Sequence, residues 1–92
     1  MEFPFSDPQN TAVFTCAHIL KNGAEICYVT HDEDDGAWQF LCNAGHTTAD
    51  ARIVGLKEIF DIDCSVGALA GMPPGCGAVR ESKGAKWQGF KK

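Results

Sequence analysis

The chain has no run approaching the roughly 18 consecutive apolar residues that a membrane-spanning helix requires, so no membrane partner is expected. Its opening residues, Met1 to Pro8, carry two acids and two prolines and lack both the basic start and the apolar stretch of a secretory signal. There is no Cys-x-x-Cys pair. The five cysteines, Cys16, Cys27, Cys42, Cys64 and Cys76, stand 11, 15, 22 and 12 positions apart, which excludes zinc-ribbon and thioredoxin-type spacing. An odd cysteine count with no export signal argues against a disulfide framework and points to free thiols in the cytoplasm. The P-loop and dinucleotide fingerprints are both missing around Gly71, Gly75 and Gly77, and no segment repeats.

What is present is enough for one core. Of 92 residues 45% are hydrophobic, including six Phe and two Trp, and a chain this short has no room for a second independent core. The net charge of −4 is uneven: from Arg80 onward five basic residues face one acid, a local +4, which leaves −8 on residues 1–79. A nucleic-acid partner calls for a basic body, and this body is acidic.

Residues 1–10 have no periodic pattern and read as an extended or frayed lead-in to a single domain over residues 11–92. The β-branched and aromatic run at 11–16 predicts a strand continuing toward Leu20, with a turn at Asn22-Gly23. Residues 25–31 and 37–42 predict an antiparallel hairpin about an acidic turn ending in Gly36, with Trp38, Phe40 and Cys42 on one face. Residues 43–52 read as a long polar loop. Ile53-Val54 fits either a short strand or a helix entry. Leu56, Ile59 and Phe60 then predict a helix near 55–61. Asp63 or Ser65 as N-cap, with Val66, Leu69 and Ala70 behind it, predicts a second helix near 64–70. Residues 75–80 and 87–90 complete the strands. Strands grouped first, with helices before the last strands, indicate an α+β fold with a mainly antiparallel sheet.

Two clusters invite chemistry. Cys16-x-His18 and Cys42-x-x-x-His46 together hold two thiols and two imidazoles, a full zinc ligand set by type. The competing explanation is buried thiols and hydrogen-bonded histidines. The run His31-Asp32-Glu33-Asp34-Asp35-Gly36 lacks the one-three-five spacing of a calcium loop, so it reads as a solvated turn able to meet a basic partner. A thiol nucleophile built from Cys16 or Cys42 has no oxyanion element or elbow motif beside it, and no enzyme activity is expected.

The succession Cys16-Ala17-His18-Ile19-Leu20, then His31-Asp32-Glu33-Asp34, Trp38-Gln39-Phe40-Leu41-Cys42 and His46, resembles a family of small bacterial proteins of unknown function. Val54, Leu56, Asp63, Pro74-Gly75, Ala78, Arg80-Glu81 and Trp87 extend the resemblance. Related members have been proposed as immunity proteins of polymorphic toxin systems. The resemblance thus implies a non-enzymatic cytoplasmic module that binds a protein partner, as monomer or homodimer and without a cofactor. The expected contact residues are His31, Asp32, Asp34, Asp35, Trp38, His46 and Arg80. The alternative is a small domain with structural zinc on Cys16, His18, Cys42 and His46.

Overall fold

A computed structural model describes residues 3–42 and 48–91. Strand β1 (Ala12–Cys16) places Val13 and Thr15 inward and Phe14 outward, as its pleat requires. It does not run on toward Leu20. Ala17, Leu20 and Lys21 are good helix formers, and helix α1 (Ala17–Asn22) starts directly from Cys16. The Asn22-Gly23 turn is the stop of that helix: Gly23 adopts φ 68° and Ala24 N–H donates to His18 O at 3.1 Å.

Strands β2 (Tyr28–His31) and β3 (Trp38–Leu41) form the expected antiparallel hairpin, with His31 opposite Trp38 and Tyr28 opposite Leu41. Ile26 and Cys27, ahead of the strand, are both buried, as are Val29 and Thr30 within it, so the alternation expected over 25–31 is not kept in burial. Strand β4 (Ala51–Gly55) runs straight into helix α2 (Leu56–Ile62), so Ile53-Val54 belongs to a strand. The second predicted helix is a 3₁₀ segment, Cys64–Leu69, capped by Asp63, whose carboxylate accepts from Ser65 N–H. Strands β5 (Cys76–Val79) and β6 (Gln88–Lys91) complete a six-stranded sheet in the order β4-β1-β3-β2-β5-β6. β1 and β3 are parallel and the other neighbours antiparallel. The fold is α+β, and no helix among the described residues is long and apolar enough to cross a membrane.

Val13, Val29, Trp38 and Phe40 on the inner face of the sheet meet Leu56, Ile59 and Phe60 of α2 and Val66 of the 3₁₀ segment. The N-terminal segment joins them instead of fraying. Phe5 is only 6% exposed and meets Trp38 edge-on at 5.4 Å, and Phe3 meets Phe60 at 5.7 Å. Burial of aromatic rings offsets the entropy of ordering a segment that Pro4 already stiffens. Gly67 makes the approach feasible, since a Cβ there would lie 2.9 Å from Pro4 Cγ.

The opposite face carries Phe14, Ile53, Leu41 and Tyr28, of which Ile53 is 65% exposed. Because β1 and β3 run the same way, their carboxyl ends emerge side by side. β4, antiparallel to β1, begins at that end with Ala51 opposite Cys16.

Candidate metal centre

This shared end gathers the reactive side chains. Cys16 closes β1, and the turn into α1 carries His18 back over it; Cys42 follows β3 directly. Thr15 Oγ1 donates to Phe40 O at 2.8 Å, pinning the two strands just before the cysteines. Cys16 Sγ lies 3.6 Å from Cys42 Sγ, and Cys42 Sγ lies 3.6 Å from His18 Nδ1. The three ligand atoms all fall within 4.8 Å of one another. A tetrahedral zinc with Zn–S of about 2.3 Å and Zn–N of about 2.0–2.1 Å has an S···S edge of roughly 3.8 Å and an S···N edge of roughly 3.5 Å. Two edges of the triad therefore already have the size of that tetrahedron. A hydrogen-bonded thiol pair has similar spacing; the imidazole on the same sulfur is what adds a metal-ligand set by type.

His18 turns its other nitrogen outward: Nε2 lies 4.0 Å from Asp50 Oδ1, with both side chains 28% exposed. A carboxylate behind a ligating imidazole orients the ring and raises its basicity. Asp50 ends a short 3₁₀ turn, Thr48–Asp50, immediately before β4. It had no sequence signal, because only the pairing of β4 with β1 brings it to His18. Beside the cluster a groove of about 240 Å³ is lined by Phe14, Cys16, Gln39, Leu41, Asp50 and Ala51. His46, the fourth predicted ligand, lies outside the described residues, as does the first half of the 43–52 loop.

The predicted partner-binding residues divide. Asp34 and Asp35 are exposed at the hairpin tip, where Asp35 accepts from Ala37 N–H at 3.0 Å; Asp32 accepts from Gln39 Nε2 at 3.3 Å. Gly36 turns the chain there with φ 71°. His31 is half-buried, stacked on Trp38 at 3.9 Å, and its Nδ1 donates to Met72 O at 2.9 Å.

Two others are corrections. Trp38 is 2% exposed and Arg80 4%, so neither forms a contact surface. Trp38 is the centre of the aromatic core, between Phe5 and Phe40. Arg80 is neutralised internally: Nη2 donates to Asp63 Oδ2 at 2.7 Å, Nη1 to Ser65 Oγ at 3.0 Å and Nε to Ile26 O at 2.9 Å. Its guanidinium also lies 4.1 Å from the centre of the Trp87 ring. Burial alone would raise the Asp63 carboxyl, but hydrogen bonds from the Ser65 hydroxyl and amide and from Arg80, with the charge of Arg80, outweigh it and hold that carboxyl below its ordinary range.

Cys27 plays no part in the cluster. Burial pushes its thiol up against the opposing charge of Arg80, which makes it an inert core group. Comparison with protein-family models, with curated proteins and with solved structures finds no match to this chain.

Proposed function

We propose that this chain is a small, non-enzymatic cytoplasmic domain that holds one zinc ion on Cys16, His18 and Cys42. The observation that carries this reading is the pair of 3.6 Å separations centred on Cys42 Sγ, at the joint of two parallel strands. By type the sequence offers His46 as a fourth ligand, and Asp50 orients His18. The role of the ion is structural. Ligands 26 positions apart in sequence tie the carboxyl end of β1 to that of β3, across the parallel pair of the sheet.

The test is thermal unfolding with zinc and with a chelator. Free zinc at a hundredfold its dissociation constant adds about 2.7 kcal/mol. In a domain of this size that is a rise in Tm of roughly 10–20 °C. An unchanged Tm after complete chelation, with zinc removal verified by mass, refutes a structural ion.

A second reading is supported by the exposed acidic tip. Glu33, Asp34 and Asp35 are exposed on a turn whose backbone is held by Asp32 N–H to Ala37 O and Gly36 N–H to Asp32 O. Such a rigid acidic knob suits a basic protein surface, as an immunity-type inhibitor would need, by electrostatic steering. The two readings are compatible, since the zinc would sit at the opposite end of β3 from the tip.

A further inference from the structure

The two sulfurs of the cluster have a chemistry of their own. Cys16 and Cys42 are both buried, their sulfurs are 3.6 Å apart, and Cys16 lines the groove that opens beside Asp50. The remaining cysteines lack this arrangement: Cys27 points to Glu81 O, Cys64 is exposed, and Cys76 is half-buried on β5. We infer that Cys16 and Cys42 are a peroxide-reactive thiol pair that closes to a disulfide. For the disulfide itself this stands on geometry alone; for metal release it rests on the zinc reading above.

A small hydroperoxide fits a groove of about 240 Å³ that a folded reductant or protein disulfide would not enter. Cys16 sulfur attacks one peroxide oxygen, the O–O bond breaks, and hydroxide leaves to give Cys16–SOH. Cys42 sulfur then attacks Cys16 sulfur; the S–S bond forms, the S–O bond breaks, and the departing hydroxide is protonated to water. Overall two thiols lose two electrons and two protons, and hydrogen peroxide becomes two waters. When zinc is bound the same oxidation removes both sulfur donors together. With both thiolates gone, imidazole nitrogen alone holds the ion too weakly to retain it, so closure of the disulfide expels zinc and a thiol reductant restores the site. The proximity of Cys42 favours closure over further oxidation of Cys16, because the sulfenic acid is captured before a second peroxide arrives.

The experiment treats metal-free and zinc-loaded full-length protein with hydrogen peroxide and reads intact mass, cross-linked peptides and zinc release by a chromogenic chelator. A Cys64→Ser, Cys76→Ser double variant is treated in parallel to remove the more accessible thiols. The expected result is loss of two hydrogens, a cross-link between tryptic peptides 1–21 and 22–52 located at Cys42 by fragmentation, and release of the bound zinc in step with that loss. Reduction should return the original mass. Added oxygen on Cys16 or Cys42 with no cross-link, or a cross-link through Cys27, Cys64 or Cys76, would overturn the inference. A protein that never takes up zinc yet closes the Cys16–Cys42 disulfide refutes the metal reading and leaves this inference standing; one that takes up zinc but never closes the disulfide does the reverse.

Discussion

Asp63→Asn should cost this domain a large part of its stability, and acid should erase the difference. Arg80 is buried, and its charge is balanced by the Asp63 carboxylate at 2.7 Å. The amide would keep the shape of the side chain and leave an uncompensated guanidinium inside; breaking such a pair from one side costs about 3–5 kcal/mol. A domain of this length has a total stability of roughly 5–14 kcal/mol, so the loss is readily measured. The sign of the pH dependence follows from the depressed Asp63 carboxyl. Its stabilisation is complete above the unfolded value of about 3.9 and is lost as pH falls through the lower folded value. Urea unfolding of wild type and Asp63→Asn from neutral pH down to about pH 2 should therefore show a gap that is widest near neutrality and narrows only in strong acid. Equal stability at neutral pH, or a gap that stays constant into acid, would show that Arg80 is neutralised by something other than Asp63.

Phe5→Ala should destabilise by about 3–5 kcal/mol, measured by urea unfolding, because the ring is packed against Trp38 and Phe40 rather than frayed. Asp50→Asn should keep the zinc stoichiometry while weakening affinity roughly 10–100-fold in a competitive chelator titration, the range for a lost carboxylate behind a ligating histidine. Replacing Glu33 by Gln with Asp34 and Asp35 by Asn should leave Tm nearly unchanged, since exposed surface changes are usually within about 0.5 kcal/mol, and should slow association with any basic partner.

Local patterns carried most of the architecture. The hairpin is legible from β-branched and aromatic runs on either side of an acidic turn, and α2 from the i, i+3, i+4 spacing of Leu56, Ile59 and Phe60. What alternation does not encode is which strands become neighbours. The parallel pairing of β1 with β3 is a long-range choice, and the proximity of Asp50 to His18 depends on a further pairing of β1 with β4. Cys16, His18 and Cys42 were grouped by ligand type and strand direction alone, and the structure brings those three together. The resemblance places Trp38 and Arg80 on a contact surface, but Trp38 has an aromatic core and Arg80 a buried carboxylate to receive it. The packing of the lead-in is not legible, because two phenylalanines flanking one proline have no period, yet each finds a ring to pack against.

The most direct test of the metal centre is native mass spectrometry of the untagged protein after reconstitution with zinc and removal of excess ion, beside a Cys16→Ser, Cys42→Ser double variant. One zinc per wild-type chain and none on the double variant is the predicted result. A bare wild-type mass, or an equal zinc load on both proteins, would contradict it.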